Sequence, residues 1–415
     1  MIPWLGTIVA AFALISASTF VEWRLFGDFQ QRFLLLELGL VLVLLWTGWR
    51  RRTSLAPGPW PVAPMLATAL AAGLALAVFV QRARSLPAGD YDAVAIWNLR
   101  ARFFWLAPER LGEVLDGLPA MPHADYPLHT SLLVARIWGW VGSDHAWVPL
   151  LVGACYLALT VLIVAGALAM RRGRGLALAG ATLILGTAGF VRHAADQYAD
   201  TPLACCIALA VAAHVCGLPL LAGAAAGAAA WTKNEGQLFC ACMLVATWRW
   251  RTLAGALPLL AVVLVFKLRV RIGNELLPAG RSDQVLQLLL DPERHGIVAW
   301  RFFTELLRCG RGLAPLLLGV VLWLRRSLPH TDVRASRRML VVLGLTALGE
   351  LAVALITPYD LRFHLRSTQG RLLLQLWPAL VICLLLELRD PWLRKDPAQG
   401  GVGTIAPTPL HREPT

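Results

Sequence analysis

Long apolar runs, interrupted by short arginine-rich or acidic segments, recur along the whole chain. Segments 4–22, 33–49, 61–80, 146–170, 176–192, 201–216, 218–231, 237–248, 252–267, 312–325, 339–356 and 371–388 are apolar almost throughout. A membrane-crossing helix needs roughly 17–25 such residues, whereas a barrel strand would alternate apolar and polar positions. The pattern predicts an all-α polytopic membrane protein with about twelve transmembrane helices, several of them short. Composition agrees: the 415 residues are 58% hydrophobic and only 15% charged, well under the charge of an average soluble domain.

Arginine placement orients the set. Arg50-Arg51-Arg52, Arg171-Arg172-Gly173-Arg174, Arg249-Trp250-Arg251, Arg325-Arg326 and the Arg334–Arg338 stretch fall on one parity of loops. The positive-inside rule makes that side cytoplasmic and puts both termini there. Met1-Ile2-Pro3-Trp4 lacks a basic n-region and a cleavage site, so the first span is expected to be retained. The other parity places 81–145, 193–200, 232–236, 268–311 and 357–370 outside. Segment 126–142 of the first external loop contains Arg136 and has about 15 apolar-rich residues, short for a crossing. Counting it as a span would move Arg171 and Arg172 outside. It is expected to be an interfacial amphipathic helix with Trp138, Trp140 and Trp147 at the head groups. The chain thus divides into an N-terminal hairpin (1–60), a main transmembrane domain (61–388) and a disordered cytoplasmic tail (389–415).

A net charge of +13 would suggest nucleic acid in a soluble domain. Here the arginines cluster between spans, so orientation and lipid head groups account for them, and no nucleic-acid partner is expected. The eight cysteines lie mostly inside spans without a CxxC or Cys/His spacing. They read as small buried apolar residues.

Candidate chemistry sits on the external side, where ionisable groups beside a membrane are costly and usually functional. Asp90 and Asp92 follow the third span after Pro87-Ala88-Gly89, which favours an extended start in which residues two apart share a face. A carboxylate at the edge of an apolar pocket gains proton affinity, which suits a general base acting on a hydroxyl. The competing role is N-capping of a helix over 93–104. Asp196 and Asp200 are four apart and would share a helical face, although Asp200 before Thr201-Pro202 also fits a helix start. The carboxylates offer oxygen ligands to a divalent cation, with Asp92 and Asp200 as its candidates, although two carboxylates alone do not make a metal site. Lys233 in Thr232-Lys233-Asn234-Glu235-Gly236, together with Lys267, Arg269, Arg271 and Arg281, breaks the positive-inside preference. External cations beside spans suit an anion such as a lipid phosphate, or snorkel to head groups. Arg362, Arg366 and Arg371 in the last external loop look like an anion cradle, with Arg371 at head-group depth. His123 reads as a surface residue.

At these motifs the chain resembles the polytopic GT-C glycosyltransferases, which include protein O-mannosyltransferases, lipid A aminoarabinose transferases and oligosaccharyltransferase catalytic subunits. The bacterial RgtA/B/C/D-like, family-39-type members are the nearest in pattern. The resemblance rests on Asp90-Tyr91-Asp92, Ile96–Arg102, Asp125-Tyr126-Pro127-Leu128, Tyr198–Leu203, Trp231–Gly236 and His364–Pro378, and covers roughly residues 61–388. It implies a GT-C fold and transfer of a hexosyl or pentosyl group from a polyprenyl-phosphate donor, with inversion. The acceptor would be an envelope glycan, lipid or protein, on the extracytoplasmic face of a bacterial inner membrane. The implied base is Asp90 or Asp92; the implied substrate-binding set is Tyr126, Asp196, Asp200, Lys233, Glu235, Arg362, His364 and Arg371. Some branches use a divalent cation and others none. The spans at 4–22 and 33–49 depart from the family's start, and the carboxyl-terminal external domain of some members is absent.

The rival expectation is a transporter or flippase of lipid-linked sugars, which needs the same anion contacts but no base. Internal repeats and paired broken helices would mark it, and the sequence suggests neither. A non-catalytic scaffold leaves the sidedness of the carboxylates unexplained.

Overall fold

The computed structural model describes residues 1–28, 30–51, 60–110, 112–113, 123–269, 282–324, 333–388 and 390. Among them there are helices and connections but no strand. The order is α1 (Ile2–Phe26), α2 (Leu34–Arg50), α3 (Val62–Ser85), then a π-turn (Ala93–Trp97) running into α4 (Asn98–Leu106). There follow α5 (His129–Val141), α6 (Trp147–Arg171), α7 (Arg174–Leu185), α8 (Ala188–Ala195), α9 (Asp200–Val215), α10 (Pro219–Thr232) and α11 (Asn234–Thr247). The chain continues through α12 (Trp250–Arg269), α13 (Ser282–Leu290), α14 (Pro292–Arg308), α15 (Leu313–Leu324), α16 (Arg334–Ile356) and α17 (Leu361–Leu386).

Every apolar segment of the sequence is helical, and the protein is an all-α membrane protein. Among the described residues six helices (α1, α3, α6, α12, α16, α17) are long and apolar enough to cross a bilayer, with a seventh if α7 and α8 count as one bent span. α2, at 17 residues, is at the lower limit, and α9 with 16 residues, α10 and α11 with 14 each and the 12 described residues of α15 are shorter. Among the described residues helix length supports six or seven full crossings rather than twelve.

The expected single span over 176–192 is broken at Gly186-Thr187, where α7 and α8 diverge by 62°. The Thr187 hydroxyl donates to the Leu183 carbonyl at 2.7 Å and accepts the Trp377 indole N–H at 3.0 Å. A tertiary hydrogen bond thus reinforces the kink. This broken helix was not expected; no second bent pair accompanies it among the described residues.

α9 lies at the centre, with every residue from Asp200 to Val215 buried. Its alanines and cysteines keep it thin, so neighbours close around it. α10 and α12 approach almost backbone to backbone: a Cβ on Gly223 would sit 1.8 Å from the Thr252 carbonyl oxygen, and one on Gly255 2.0 Å from that of Leu220. Small residues serve this purpose in membrane helix pairs.

α5 buries most of its residues against other helices. Arg136 is fully buried and pairs with Glu22 of α1 at 2.9 Å and Glu37 of α2 at 2.6 Å. Ser18 adds a hydrogen bond to Glu37 at 2.5 Å. Trp138 is in the core at 1% exposure, while Trp140 and Trp147 stay exposed at 40% and 49%. The helix is held by a buried charge triad, so α1 packs into the same core as the domain that follows.

The bundle has two chemically different ends. At one end Arg172 donates to the Leu386 carbonyl at 2.8 Å, Asp390 accepts from Gly175 N at 3.0 Å, and Arg174 stacks on Trp60. Thr7 against Gly48 brings Arg50 to that end too. The acidic motifs gather at the other end. Arg271, Arg281, Arg325, Arg326 and the tail from 391 lie outside the described residues.

Candidate active site

Two loops build the acidic end. Gly89 has φ +86, a left-handed conformation, and a Cβ there would come within 2.5 Å of Ala93 Cβ and 2.9 Å of the Asp196 carbonyl oxygen. The close approach lets Asp90 N donate to that carbonyl at 3.2 Å. Gln197, also left-handed at φ 62, accepts from Asn98 Nδ2 at 2.6 Å and donates to the Pro87 carbonyl at 3.1 Å. The two loops are thereby fixed side by side.

α8 ends at Ala195 and Gln197 turns the chain before α9, so Asp196 and Asp200 do not share one helical face as expected. Each joins a different arginine. Arg82 bridges Asp90 and Asp196, the latter through Nε at 2.5 Å. Arg371 Nη2 bridges Asp92 at 2.6 Å and Asp200 at 2.7 Å, and its guanidinium stacks on the Tyr198 ring at 4.6 Å. The second oxygen of Asp200 accepts from Lys233 at 3.3 Å and from the Gln375 amide. Asp92 occupies the N-cap position without making the capping hydrogen bond. Asp90 accepts from Tyr91 N at 2.7 Å.

Lys233 follows α10, bonds Glu235 at 3.0 Å and lies over the Tyr126 ring at 5.7 Å. Burial opposes its charge, yet Asp200 and then Glu235 hold its ammonium above the ordinary lysine range. Burial, then the charges of Asp92 and Asp90, push the Tyr198 phenol well up, so it remains a neutral hydroxyl.

The carboxylates open on a cleft of about 440 Å³ lined by Arg82, Asp90, Asp92, Arg192, Tyr198 and Arg371 among others. A neighbouring pocket of about 300 Å³ shares Gly189, Arg192, His193, Ser367 and Arg371, and adds Arg308 and Arg366. Arg192 and Arg366 are exposed and make no side-chain ion pair among the described residues. An apolar groove of about 500 Å³ runs between α3 and the α7–α8 bend, over Leu70, Leu74, Val78, Ala188 and Val191. α8 thus gives Ala188 and Val191 to the groove, and Gly189 and Arg192 to the cleft.

The residues expected to form one site divide in two. Asp90, Asp92, Asp196 and Arg371 line the cleft. Tyr126, Glu235 and His364 line a separate cavity of about 270 Å³. Asp200 and Lys233 are buried between them. Arg362 is exposed and lines none of these cavities. His123 stacks on Tyr126. Arg82, Arg192, Tyr198 and Gln375 were not foreseen as site residues; the signal for Arg192 was a cation at the edge of an otherwise apolar run.

The Arg371 guanidinium already occupies the position between Asp92 and Asp200 where a cation would bind. The donor set as it stands does not fit a metal, and among the described residues no three His, Cys, Asp or Glu side chains form a metal cluster.

No protein-family model, curated protein or solved structure matches this chain.

Proposed function

We propose that the chain is an inverting glycosyltransferase of the GT-C type. It moves a sugar from a polyprenyl-phosphate donor to an envelope glycan, lipid or protein on the extracytoplasmic face of a bacterial inner membrane. The observation that supports this most is the cleft itself. Two carboxylates share it with Arg192, which has no acidic partner among the described residues; Arg366, likewise unpaired there, lines the adjoining pocket, and an apolar groove lies alongside. A phosphate head with a long apolar tail matches those two surfaces together.

Asp92 is the better base of the two candidates. Among the described residues only its Oδ2 is engaged, by Arg371, whereas both oxygens of Asp90 accept hydrogen bonds. In the reaction an acceptor hydroxyl oxygen attacks the anomeric carbon and its proton passes to Asp92. The bond from that carbon to the phosphate oxygen breaks, and the electron pair leaves with the phosphate. Arg371, Arg192 and Arg366 neutralise the phosphate as it departs. Lys233 acts at one remove, holding Asp200 and through it Arg371. Positioning of acceptor and donor supplies much of the remaining acceleration.

The bend between α7 and α8 favours a second reading, a flippase of lipid-linked sugars, because interrupted helices mark transport sites. Proteoliposomes with radiolabelled polyprenyl-phosphate sugars and crude envelope acceptors separate the two. The transferase reading expects sugar transfer by the wild type, unaffected by chelator, and its loss in Asp92→Asn with donor binding retained. Movement of the lipid between leaflets without any transfer makes the protein a flippase.

A further inference from the structure

The second cavity, enclosed by α11, α14, α16 and α17, holds polar atoms that the fold leaves unused. Glu350 on α16 is 7% exposed and Gln369 on α17 is 4% exposed; both line the cavity. Glu350 Oε1, Gln369 Oε1 and Glu235 Oε2 are each buried without a hydrogen-bond partner. An orphaned buried polar atom costs roughly 1–3 kcal/mol, and three of them belong to residues that line one cavity, which favours a ligand that supplies donors.

The rest of the lining narrows the ligand. Leu238, Leu351, Val353, Ala354, Leu372 and Leu373 make most of the wall apolar. At the polar rim Lys267 donates to the Asp125 carbonyl at 2.7 Å and to Asn234 Oδ1 at 2.8 Å. A cationic head would meet this lysine, and an anionic head would meet the Glu235 carboxylate. A neutral polyhydroxy head can donate to the three orphaned oxygens and accept at the rim without adding charge. A volume of about 270 Å³ falls just below the span of roughly 300–1,000 Å³ for drug-sized ligands, which suits one head group.

We propose that the cavity around Glu235, Glu350 and Gln369 is a binding site for the sugar head of a neutral glycolipid, separate from the Asp90–Asp92 cleft. α17 divides the two: Gln369 faces the cavity, while Gly370 and Arg371 face the arginine pocket. The cavity takes its ligand whether or not the cleft transfers a sugar.

The test uses the full chain in phospholipid nanodiscs and a long-chain alkyl glucoside with a photoreactive diazirine in its stem. The same chain as a plain alcohol and as a primary amine are the comparison probes. Labelling of α16 or α17 peptides, competed by unlabelled alkyl glucoside and at least about tenfold above both other probes, is expected. Glu350→Leu and Gln369→Leu each lower glucoside labelling about tenfold. Their melting temperatures hold or rise, since each removes an unpartnered buried polar group. Glu350→Gln retains labelling because its amide oxygen still accepts, and Arg192→Gln leaves labelling unchanged. Equal labelling by alcohol and glucoside, preference for the amine, or undiminished labelling in both leucine variants overturns the proposal. The probe comparison on the wild type decides even where a leucine variant does not fold.

Discussion

Arg371 joins more of the site than any other residue: one guanidinium nitrogen serves Asp92 and Asp200, and the plane stacks on Tyr198. Lysine keeps the charge but loses the fork and the stacking. Arg371→Lys should therefore lower sugar transfer about 100-fold while shifting the melting temperature little, measured on one preparation by transfer assay and thermal unfolding. Arg136 is the opposite case, a buried cation with no part in the cleft. Arg136→Leu strands Glu22 and Glu37 without their counter-charge, at a cost of about 3–5 kcal/mol. A melting temperature in detergent within one or two degrees of wild type would contradict that estimate.

At the scale of elements, helix approach distance decides what is tolerated. Gly223→Leu has no space, since even a Cβ meets the Thr252 carbonyl oxygen at 1.8 Å, whereas Gly344 has nothing within 4 Å. Gly223→Leu should aggregate and Gly344→Leu should remain monodisperse, as read by size-exclusion chromatography. Gly89→Val strains the left-handed turn that sets Asp90 beside Asp196. It should reduce transfer more than it reduces stability, because the turn positions the carboxylates but carries little of the core. Helix existence was legible throughout from apolar runs. The break at Gly186-Thr187 was not, because Trp377, which holds it, is nearly two hundred residues away. Burial of α5 was equally hidden: Arg136 argued against a span, and only its two partner glutamates make a buried arginine affordable.

For the whole molecule, Arg172 and Arg174 lie at one end of the bundle and the carboxylates of the cleft at the other. With the cytoplasm on the basic side, a membrane-impermeant thiol reagent applied to intact cells should label Ser367→Cys. Arg251→Cys should react only after permeabilisation. The reverse pattern would invert the orientation and move the cleft to the cytoplasm.

The sequence by itself determined the class, the helices and the segregation of charge, because each depends on local hydropathy and on loop parity. It also marked Asp90, Asp92, Asp200 and Arg371, since charged groups beside apolar runs are conspicuous wherever they fall. Only the tertiary structure decided which arginine meets which carboxylate, because those pairs join residues as far apart as Asp92 and Arg371. It also decided that Glu235 and His364 face a second cavity, because which side of a helix borders which space follows from packing. The number of full crossings likewise depends on where each helix stops, and hydropathy defines those ends least sharply.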